Sequence, residues 1–570
     1  MSARRKRWDI RPVAPAEFVH QLGCGPLLAN LLYQRDLRDP AAAQAFLDAD
    51  YQRSLNDPLL LKGMSEAAPR LAHAVREREP IAIYGDFDTD GVTAVTLLTQ
   101  ALGAMGADVR PYVPHRTREG YGLNNLAVEH LAADGVRLLV TVDCGVSNIA
   151  EVAAAQARGV DVIVTDHHTP PAELPPALAL VNPKQPGCLY PDKQLVGVGI
   201  AFKLIQALAR YGLRPGNLRG RDLLDVVALG TVADMGLLIG ENRALVKAGL
   251  QAINTTTRPG LQALITVAGL VPGKIDSTAI GYMLGPRLNA AGRLDDARRA
   301  YQLLLAADAQ EARTIAQELH ETNRARQELT RLTQEKARVL AAAADLQDDP
   351  ILILADEAFP AGVIGLVASR LVDELGRPVV IIERGPEHSR GSARSIPGFN
   401  MVEALNACGE LFVRHGGHAA AAGFTIASPR IPELHIALNR IAAARMQGVS
   451  LEPLLPIDAT VPLTDVCWEL LNEINRLEPF GNGNPQPVLM SAGVRVLDAR
   501  TRGAENQHLK LLLQQGAGPP HEAIAFRMGH LAPALRRHPH IDLAYVLEAN
   551  EWNGERRLQI NVKDLRRATI

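Results

Sequence analysis

The amino-acid sequence predicts a multidomain α/β protein with a parallel-sheet domain, a second α/β domain reached through a long helix, and a C-terminal β-barrel. The chain has 570 residues, too many for one hydrophobic core. Two stretches alternate apolar β-type runs with Ala-rich helical segments, and the last stretch has β-type runs separated by turns. The expected segments are a helical segment at 1–50, the parallel-sheet domain at 51–305, the connecting helix at 306–345, the second α/β domain at 346–450 and the barrel at 455–570.

Four apolar runs in the first α/β stretch indicate parallel strands. They lie at 80–88, 108–114, 136–145 and 160–168, with helical segments between them. Nearly continuous apolar strands that alternate with helices form sheets covered on both faces. Residues 200–300 are predicted to be mainly helical.

The later segments follow from similar patterns. A long amphipathic helix is predicted at about 309–343, with Asp308 and Glu311 as a capping box at its start. "ILILAD" (351–356) and "RPVVIIE" (377–383) are expected to be strands of the second α/β domain. From about 455, short β-type runs in series favour a small barrel.

The charge and the cysteine content of the sequence restrict which classes of protein are possible. The formal net charge is −2, but residues 491–570 contain 12 Lys/Arg against 8 Asp/Glu, so positive charge is concentrated near the end. Five scattered cysteines without a CxxC pair fit a reducing cytoplasm and argue against a disulfide scaffold or a zinc finger. The start "MSARRKRWDIRP" lacks the apolar segment of a secretory signal, and no apolar run is long enough to cross a bilayer.

Acidic and histidine side chains follow three of the predicted strands. Asp86, Asp88 and Asp90 follow the first, Asp143 follows the third, and Asp166, His167 and His168 follow the fourth. The carboxyl ends of parallel strands lie together, so these residues should meet at one crevice. Crowded carboxylates are costly unless a cation neutralises them, and the added imidazoles suit Mn²⁺, with Mg²⁺ as the harder alternative.

Asp234, in "VVALGTVADMG", is a further candidate ligand, although a single acid at the end of an apolar helix could also be only an N-cap. A calcium loop is disfavoured, because the required acid would fall near Thr99. Two divalent ions about 3.5–4 Å apart can stabilise both the attacking and the leaving oxygen of a phosphoryl transfer. Such a pair of ions needs about seven ligand positions. The seven candidates are Asp86, Asp88, Asp90, Asp143, His167, His168 and Asp234. This set indicates hydrolysis of a phosphate ester or anhydride.

Four motifs, "YGDFDTDGVTA", "TVDCGVSN", "TDHH" and "LGTVAD", resemble in order the first four motifs of the DHH phosphoesterase superfamily. Later motifs, including "GPRLNAAGRLDD", "GSARS", "GGHAAAAGF" and "LEPFGNGNPQP", resemble the RecJ family of single-strand-specific DNA exonucleases within it. Together these motifs cover nearly the whole chain. The resemblance implies a DHH domain, a DHH-associated domain and a C-terminal OB fold. It also implies a 5′→3′ exonuclease of single-stranded DNA that uses two metal ions in repair and recombination.

The resemblance also implies residue roles. Asp88, Asp90, Asp143, His167 and Asp234 match metal ligands, and Asp86 stands near a position where pyrophosphatase relatives have a ligand histidine. His168 matches a histidine that can act as an acid or stabilise charge. The residues expected to take part in catalysis are His168, Asp86 and Asp143. Arg116 and Arg293 match phosphate-gripping residues, and Tyr121 matches an aromatic ring that stacks on a base. The residues matched to 5′-end binding are Ser392, Arg394, Gly416, Gly417 and His418.

Several of these roles have simpler structural alternatives. Arg293 could only pair with Asp295 or Asp296, Tyr121 could be a core residue, and the "GGH" segment could be only a tight turn. Phe359 and Pro360 stand where relatives often have Trp-His. In the barrel, basic residues and two rings could contact a single strand. These are Arg500, Arg502, Lys510, Arg527, Arg556, Arg557, Phe526 and Trp552.

Three functions remain open at this point. The first is the exonuclease, as a cytoplasmic monomer with single-strand-binding protein and a helicase as partners. The second is a small-substrate DHH phosphodiesterase acting on short oligonucleotides or cyclic dinucleotides, which would not need a barrel of about 115 residues. The third is a non-catalytic single-strand-binding scaffold, which the presence of all seven candidate ligands disfavours.

Overall fold

The computed structural model describes residues 6–116, 118–294, 296–343, 346, 349–448, 452–552 and 555–568. The chain forms two compact units. The first comprises Met1–Pro286, Ala300–Ala316 and Leu454–Ile570, and the second comprises Arg287–Arg299 and Gln317–Pro453. The first unit therefore contains the parallel sheet and the barrel, and the second contains the other α/β fold.

The N-terminal segment is not purely helical. Its elements are β1 (Arg7–Ile10), α1 (Ala16–Leu22), α2 (Pro26–Tyr33) and α3 (Pro40–Asp48). The prediction of helices alone missed β1, because four residues are too few for a strand pattern to show. Asp39 caps α3 by accepting the Ala42 N–H.

The parallel sheet has five strands in the order β3-β2-β4-β5-β6. Its elements are α4 (Met64–Glu77), β2 (Ile81–Gly85), α5 (Thr89–Ala104), β3 (Val109–Tyr112), α6 (Asn125–Ala133), β4 (Leu138–Val142), α7 (Ile149–Ala157), β5 (Asp161–Thr165) and β6 (Ala179–Val181). The four predicted strands are confirmed. The sequence did not predict β6, which has only three residues and lies in a proline-rich segment. Every residue of β2 and β4 is buried, as expected for a sheet covered on both faces.

The following region is helical, as predicted. It contains α8 (Gly197–Arg210), α9 (Leu224–Ala233), α10 (Gly240–Asn254), α11 (Pro259–Val267), α12 (Ser277–Ala279), a π-helical turn (Ile280–Leu284), α13 (Gly285–Leu294) and α14 (Arg298–Leu305). Helices α8 and α9 contact α5, so they lie beside the loop that follows β2. Within the described ranges, no helix combines the length and apolar character needed to cross a membrane.

The second unit contains a mixed sheet in the order β10-β11-β9-β8-β7. The predicted long helix is α15 (Ala309–Ala343), and the Asp308 carboxylate accepts the N–H groups of Gln310 and Glu311 at its start. The other elements are β7 (Leu352–Asp356), α16 (Ile364–Leu375), β8 (Val379–Glu383), β9 (His388–Arg394), α17 (Met401–Asn406), β10 (Phe412–Gly417), β11 (Ala421–Ala427) and α18 (Ile431–Arg445). Phe359 is buried in the core with Val367 and Ile381, so it serves packing.

The C-terminal strands form the predicted barrel, which a pairing between β14 and β17 closes. Its elements are β12 (Leu454–Ile457), β13 (Ala459–Thr460), α19 (Trp468–Asn475), β14 (Leu489–Arg502), β15 (His508–Gln514), β16 (His521–Ala525), α20 (Ala532–Arg537), β17 (His540–Trp552) and β18 (Glu555–Arg567). Phe18, Leu28 and Leu31 of the N-terminal helices share one core with Leu511 and Tyr545 of the barrel. Strand β1 pairs in parallel with β12, so the N-terminal segment is joined to the segment that leads into the barrel.

Candidate active site

Three neighbouring strands end at the same level of the parallel sheet. Gly85 of β2 pairs with Val142 of β4, and Val142 pairs with Thr165 of β5. In each strand the next residue is an aspartate: Asp86, Asp143 and Asp166. All three are buried, at the sheet edge where open α/β folds bind ligands.

The loop after β2 brings the other aspartates to the same edge. Asp88 caps α5, because its Oδ1 accepts the N–H of Asp90 at 2.9 Å and that of Gly91 at 3.2 Å. A Cβ atom at Gly91 would lie 2.5 Å from the Asp86 carbonyl oxygen, so a glycine is needed for the helix to start this close to the strand end. The Asp90 carboxylate accepts the N–H groups of Gly197 and Val198 at the start of α8.

All seven predicted ligand residues come together. They form three groups in which one candidate ligand atom from each residue lies within 4.8 Å of the others: Asp143, His167 and His168; Asp90, His167 and Asp234; Asp86, Asp88 and Asp143. The His167 Nε2 atom lies 2.9 Å from Asp143 Oδ1, 3.7 Å from Asp234 Oδ2 and 3.8 Å from Asp90 Oδ2. Asp143 and His167 each belong to two groups, so these two side chains join the three groups into one cluster.

Burial and mutual repulsion raise the pKa values of four carboxylates of this cluster. Burial, followed by the charge of Asp88, raises the pKa of Asp90 to about 7. Burial and the charges of Asp90 and Asp88 raise the pKa of Asp234 to about 9. For Asp86 and Asp143, burial and neighbouring carboxylates hold the pKa well above its ordinary value. The cluster therefore favours added positive charge.

Two buried carboxylate oxygen atoms indicate which kind of cation fits the cluster. Asp86 Oδ1 accepts no hydrogen bond from any described residue, although buried polar atoms are normally paired, and Asp143 Oδ1 has His167 Nε2 at 2.9 Å. Oxygen ligands with imidazole nitrogen beside them suit Mn²⁺ and also accommodate Mg²⁺. The residues present therefore fit divalent cations.

Asp234 lies at the C-terminal end of α9, so the N-cap interpretation is wrong. A carboxylate at this end of a helix meets the partial negative charge of the last carbonyl groups, which is unfavourable. The position fits the cation cluster, because a metal ion would relieve the charge of both the carboxylate and the helix end.

Asp166 has a role that the sequence did not reveal. Its Oδ1 accepts the backbone N–H groups of His167 and His168 and lies 2.7 Å from His168 Nδ1. Its Oδ2 accepts the Val146 N–H at 3.0 Å. Burial opposes both charges of the pair, but the hydrogen bond and charge of Asp166 raise the pKa of His168 to about 9, and the pKa of Asp166 is lowered. Asp166 therefore orients His168 and favours its protonated form.

Two predicted substrate residues lie beside the cluster. The Arg116 guanidinium stacks 4.8 Å from the centre of the Phe87 ring. Burial lowers the pKa of Arg116, although the negative charges of Asp86 and Asp88 act in the opposite direction and raise it. Tyr121 is 56% exposed, so the core interpretation is wrong for this ring. Its hydroxyl lies 3.3 Å from His168 Nδ1, so this exposed ring stands at the edge of the cluster.

The remaining predicted site residues belong to the second unit. In β9, Arg394 donates a hydrogen bond to Ser392 Oγ at 3.0 Å. The "GGH" segment ends β10 in a tight turn, as its structural alternative predicted: the His418 N–H donates to the Ala421 carbonyl, and Gly417 has φ +145°. Arg293 is half-buried in α13, and Asp295 lies outside the described residues. The ligand roles of these residues stay predictions.

Part of the barrel's positive charge is already neutralised. Arg500 pairs with Asp498 at 2.6 Å, and Lys510 pairs with Glu522 at 2.9 Å. Phe526 is 53% exposed, as a stacking ring would be, whereas the Trp552 side chain lies outside the described part of the barrel. This surface is therefore suited to modest electrostatic binding.

Comparisons with known proteins agree with this arrangement. Three domain families match: the DHH family N-terminal domain over residues 80–231, the DHHA1 domain over 348–444 and the RecJ OB domain over 457–564. The single-stranded-DNA-specific exonuclease RecJ of Bacillus subtilis is 37% identical over 99% of this chain and 71% of the relative. The protein of the same name from Escherichia coli is 34% identical over 99% and 98%, respectively.

A solved structure extends the similarity to the fold. The crystal structure of RecJ in complex with Mn²⁺ from Thermus thermophilus has a TM-score of 0.84 and 33% sequence identity, and it matches 99% of this chain and 80% of the other. A second crystal structure, of the same protein with Mg²⁺, has a TM-score of 0.78. The domain order predicted from sequence therefore has a close counterpart among solved structures.

Proposed function

Because the chain belongs to the RecJ family, we propose that it is a single-stranded-DNA-specific 5′→3′ exonuclease that hydrolyses phosphodiester bonds with two divalent cations, Mn²⁺ or Mg²⁺. One observation carries the proposal: seven oxygen and nitrogen ligand residues converge at the strand ends of a fold that resembles these exonucleases over 99% of its length. The repair and recombination role follows from the same resemblance.

The proposed metal ligands are Asp88, Asp90, Asp143, His167 and Asp234, with Asp86 beside them. Asp143 would be close to both cations, because it belongs to two of the three groups. When bound, the two cations supply positive charge that activates the attacking water and neutralises the scissile phosphate. The raised pKa values of Asp90 and Asp234 support this assignment, since they mark carboxylates that lack a counter-charge.

His168 is the proposed proton-carrying group of the site. Asp166 holds its Nδ1 side at 2.7 Å, which fixes the ring and favours the imidazolium form. In that form the other ring nitrogen carries a proton that it can donate to a phosphate oxygen as negative charge develops. His168 therefore stabilises charge that the cations do not cover.

Arg116 and Tyr121 are the proposed contacts for the terminal nucleotide. A guanidinium can grip a phosphate with two hydrogen bonds, and the exposed Tyr121 ring can stack on a base. Ser392, Arg394 and the turn at Gly416, Gly417 and His418 are proposed to bind the 5′ phosphate, which would set the polarity. Arg293 is proposed as a further phosphate contact.

The wider setting rests on family resemblance. We propose a cytoplasmic monomer that works with single-strand-binding protein and a helicase. Sedimentation of the purified chain, alone and with a single-strand-binding protein, tests the monomer and the first partner.

The function is tested with single-stranded oligonucleotides carrying a label at the 5′ or the 3′ end, in Mn²⁺, beside the matching duplex. We expect immediate release of short 5′-labelled products and stepwise shortening of the 3′-labelled strand, with the duplex left intact. Survival of long strands combined with hydrolysis of dinucleotides would favour the small-substrate phosphodiesterase. Strand binding that is insensitive to EDTA and gives no products would favour the scaffold.

Metal binding should also stabilise the fold. A ligand that binds only the folded chain stabilises it by mass action, so Mn²⁺ at about 100 times its Kd is expected to add about 2.7 kcal/mol to the free energy of unfolding. Differential scanning calorimetry with and without Mn²⁺ measures the resulting rise in Tm. Asp143→Asn should show a much smaller rise, and an equal rise in both proteins would place the metal elsewhere.

A further inference from the structure

The segment directly after Asp234 has an unusual backbone conformation. At the end of α9 the Gly236 N–H donates to the Thr231 carbonyl and the Met235 N–H donates to the Val232 carbonyl. This is a Schellman motif, in which glycine is the usual residue at the left-handed position. Here that position is Met235, with φ +58°, which is disfavoured for a residue with a side chain. Something other than local preference must therefore hold this turn.

A turn in the segment that leads into the barrel stabilises the Met235 turn by hydrogen bonds. The Asn482 side-chain amide donates to the Met235 carbonyl at 2.6 Å. The Asn482 carbonyl accepts the Leu238 N–H at 2.7 Å. One residue thus binds the backbone on both sides of the short loop that follows Asp234.

The turn that carries Asn482 is itself fixed. The backbones of Gly481 and Asn484 exchange two hydrogen bonds of 2.9 and 3.1 Å. The buried Asn484 side chain donates to the carbonyls of Leu477 and Pro479 and accepts a hydrogen bond from Arg35 Nε at 2.7 Å. A fixed donor can hold a disfavoured backbone conformation, whereas a mobile one could not.

We propose that Asn482 is a positioning residue for Asp234, so that the segment entering the barrel helps to set the metal affinity of the catalytic centre. The inference rests on the proposed function, because it takes Asp234 to be a metal ligand. The Asp234 carboxylate is attached to the last residue before the held turn, so loosening Met235 lets the ligand move away from Asp90 and His167. The C-terminal region would then contribute to metal binding as well as to strand binding.

The test is Asn482→Ala, with Mn²⁺ binding measured by isothermal titration calorimetry and exonuclease rates measured over a range of Mn²⁺ concentrations. Loss of a residue that supports a ligand typically weakens metal binding by about 10–100-fold, so we expect a Kd for Mn²⁺ at least about 10-fold higher. The rate should recover at saturating Mn²⁺, with an unchanged KM for DNA. Asn482 is exposed, so its truncation should leave Tm in the absence of metal near that of the wild type.

Two further variants separate positioning from general destabilisation. Met235→Gly favours the left-handed turn without help, so the double variant Asn482→Ala/Met235→Gly should regain Mn²⁺ affinity. The Met235 side chain is 68% exposed, so its removal leaves no core cavity. Asn254→Ala is the matched control, because Asn254 also holds a loop by hydrogen bonds to backbone atoms, those of Leu250 and Ile275, and we expect wild-type Mn²⁺ affinity.

The outcomes distinguish failure of the positioning role of Asn482 from failure of the proposed metal site. Wild-type Mn²⁺ affinity in Asn482→Ala, an equal loss in Asn254→Ala, or no recovery in the double variant would overturn the positioning role. If the wild-type chain itself binds no Mn²⁺, or if Asp234→Asn binds it unchanged, the metal site of the proposed function fails first.

Discussion

Replacing Asp143 by asparagine is expected to lower kcat on single-stranded DNA by about 10³-fold or more, because the variant loses the carboxylate that two of the three candidate ligand groups share. Asp143 belongs to two of the three ligand groups, and its buried carboxylate has His167 Nε2 at 2.9 Å from Oδ1. Metal ions contribute several kcal/mol of charge stabilisation to phosphoryl transfer, and each 1.36 kcal/mol is worth a factor of about ten in rate. An amide is a weaker, uncharged ligand, so Mn²⁺ affinity should fall as well.

Rates with a 3′-labelled oligonucleotide, taken at several Mn²⁺ concentrations, measure this effect. Asp134→Asn is a matched control, because Asp134 is exposed and precedes β4, whereas Asp143 follows the same strand. The control should keep wild-type activity. A loss of less than about tenfold in Asp143→Asn at saturating Mn²⁺ would contradict the proposed role of Asp143 as a metal ligand.

The sequence was informative about this site because its chemistry is concentrated at strand ends. Asp86, Asp143 and His167 each follow an apolar run closely, and the sheet places the ends of parallel strands at one edge. The order of apolar runs and acids therefore predicted the meeting of residues that lie far apart in the chain. The fold class followed from the same runs, since β2, β4 and β5 are nearly continuous apolar segments.

Other features depend on tertiary contacts that no local pattern records. Asp234 had two interpretations, and only the direction of α9 decides between them. Strand β1 is recognisable only from its pairing with β12, which lies far away in the sequence, at the start of the segment that leads into the barrel. Asn482 resembles any other asparagine in a glycine-rich turn until its contact with the Met235 carbonyl is known. The "DHH" run gave a signal for Asp166, but not whether it binds metal or orients His168.

The metal cluster and the barrel are linked through these same long-range contacts. The N-terminal helices share the barrel core, Arg35 of that segment holds Asn484, and Asn482 of the same turn holds the loop after Asp234. The N-terminal segment is thus connected, through Arg35, Asn484 and Asn482, to the loop that follows Asp234 in the first unit. Changes in the N-terminal segment should therefore be examined for effects on Mn²⁺ affinity as well as on stability.

Replacing Asp166 by asparagine is expected to lower kcat by about 10²-fold while the KM for DNA changes little. In the wild-type chain, Oδ1 serves His168 and two backbone N–H groups, and Oδ2 accepts the Val146 N–H. An asparagine can keep only one of these acceptors, so its NH₂ group would face either the Val146 N–H or the donors around His168. The variant also loses the negative charge that favours the His168 imidazolium. Groups that orient a ligand or a catalytic histidine are worth about 10–100-fold or more in activity.

Asp161→Asn is the matched control, because Asp161 starts the same strand, β5, and its carboxylate pairs with Arg70 at 2.6 Å. Loss of that partly exposed ion pair is expected to leave kcat unchanged. In a His168→Ala background, Asp166→Asn should lower the rate far less than it does in the wild type, because the proposed effect of Asp166 passes through His168. If Asp166→Asn lowers the rate as strongly in the His168→Ala background as in the wild type, Asp166 acts directly on the metal cluster or the loop at Val146, and its role as the orienting residue of His168 is wrong.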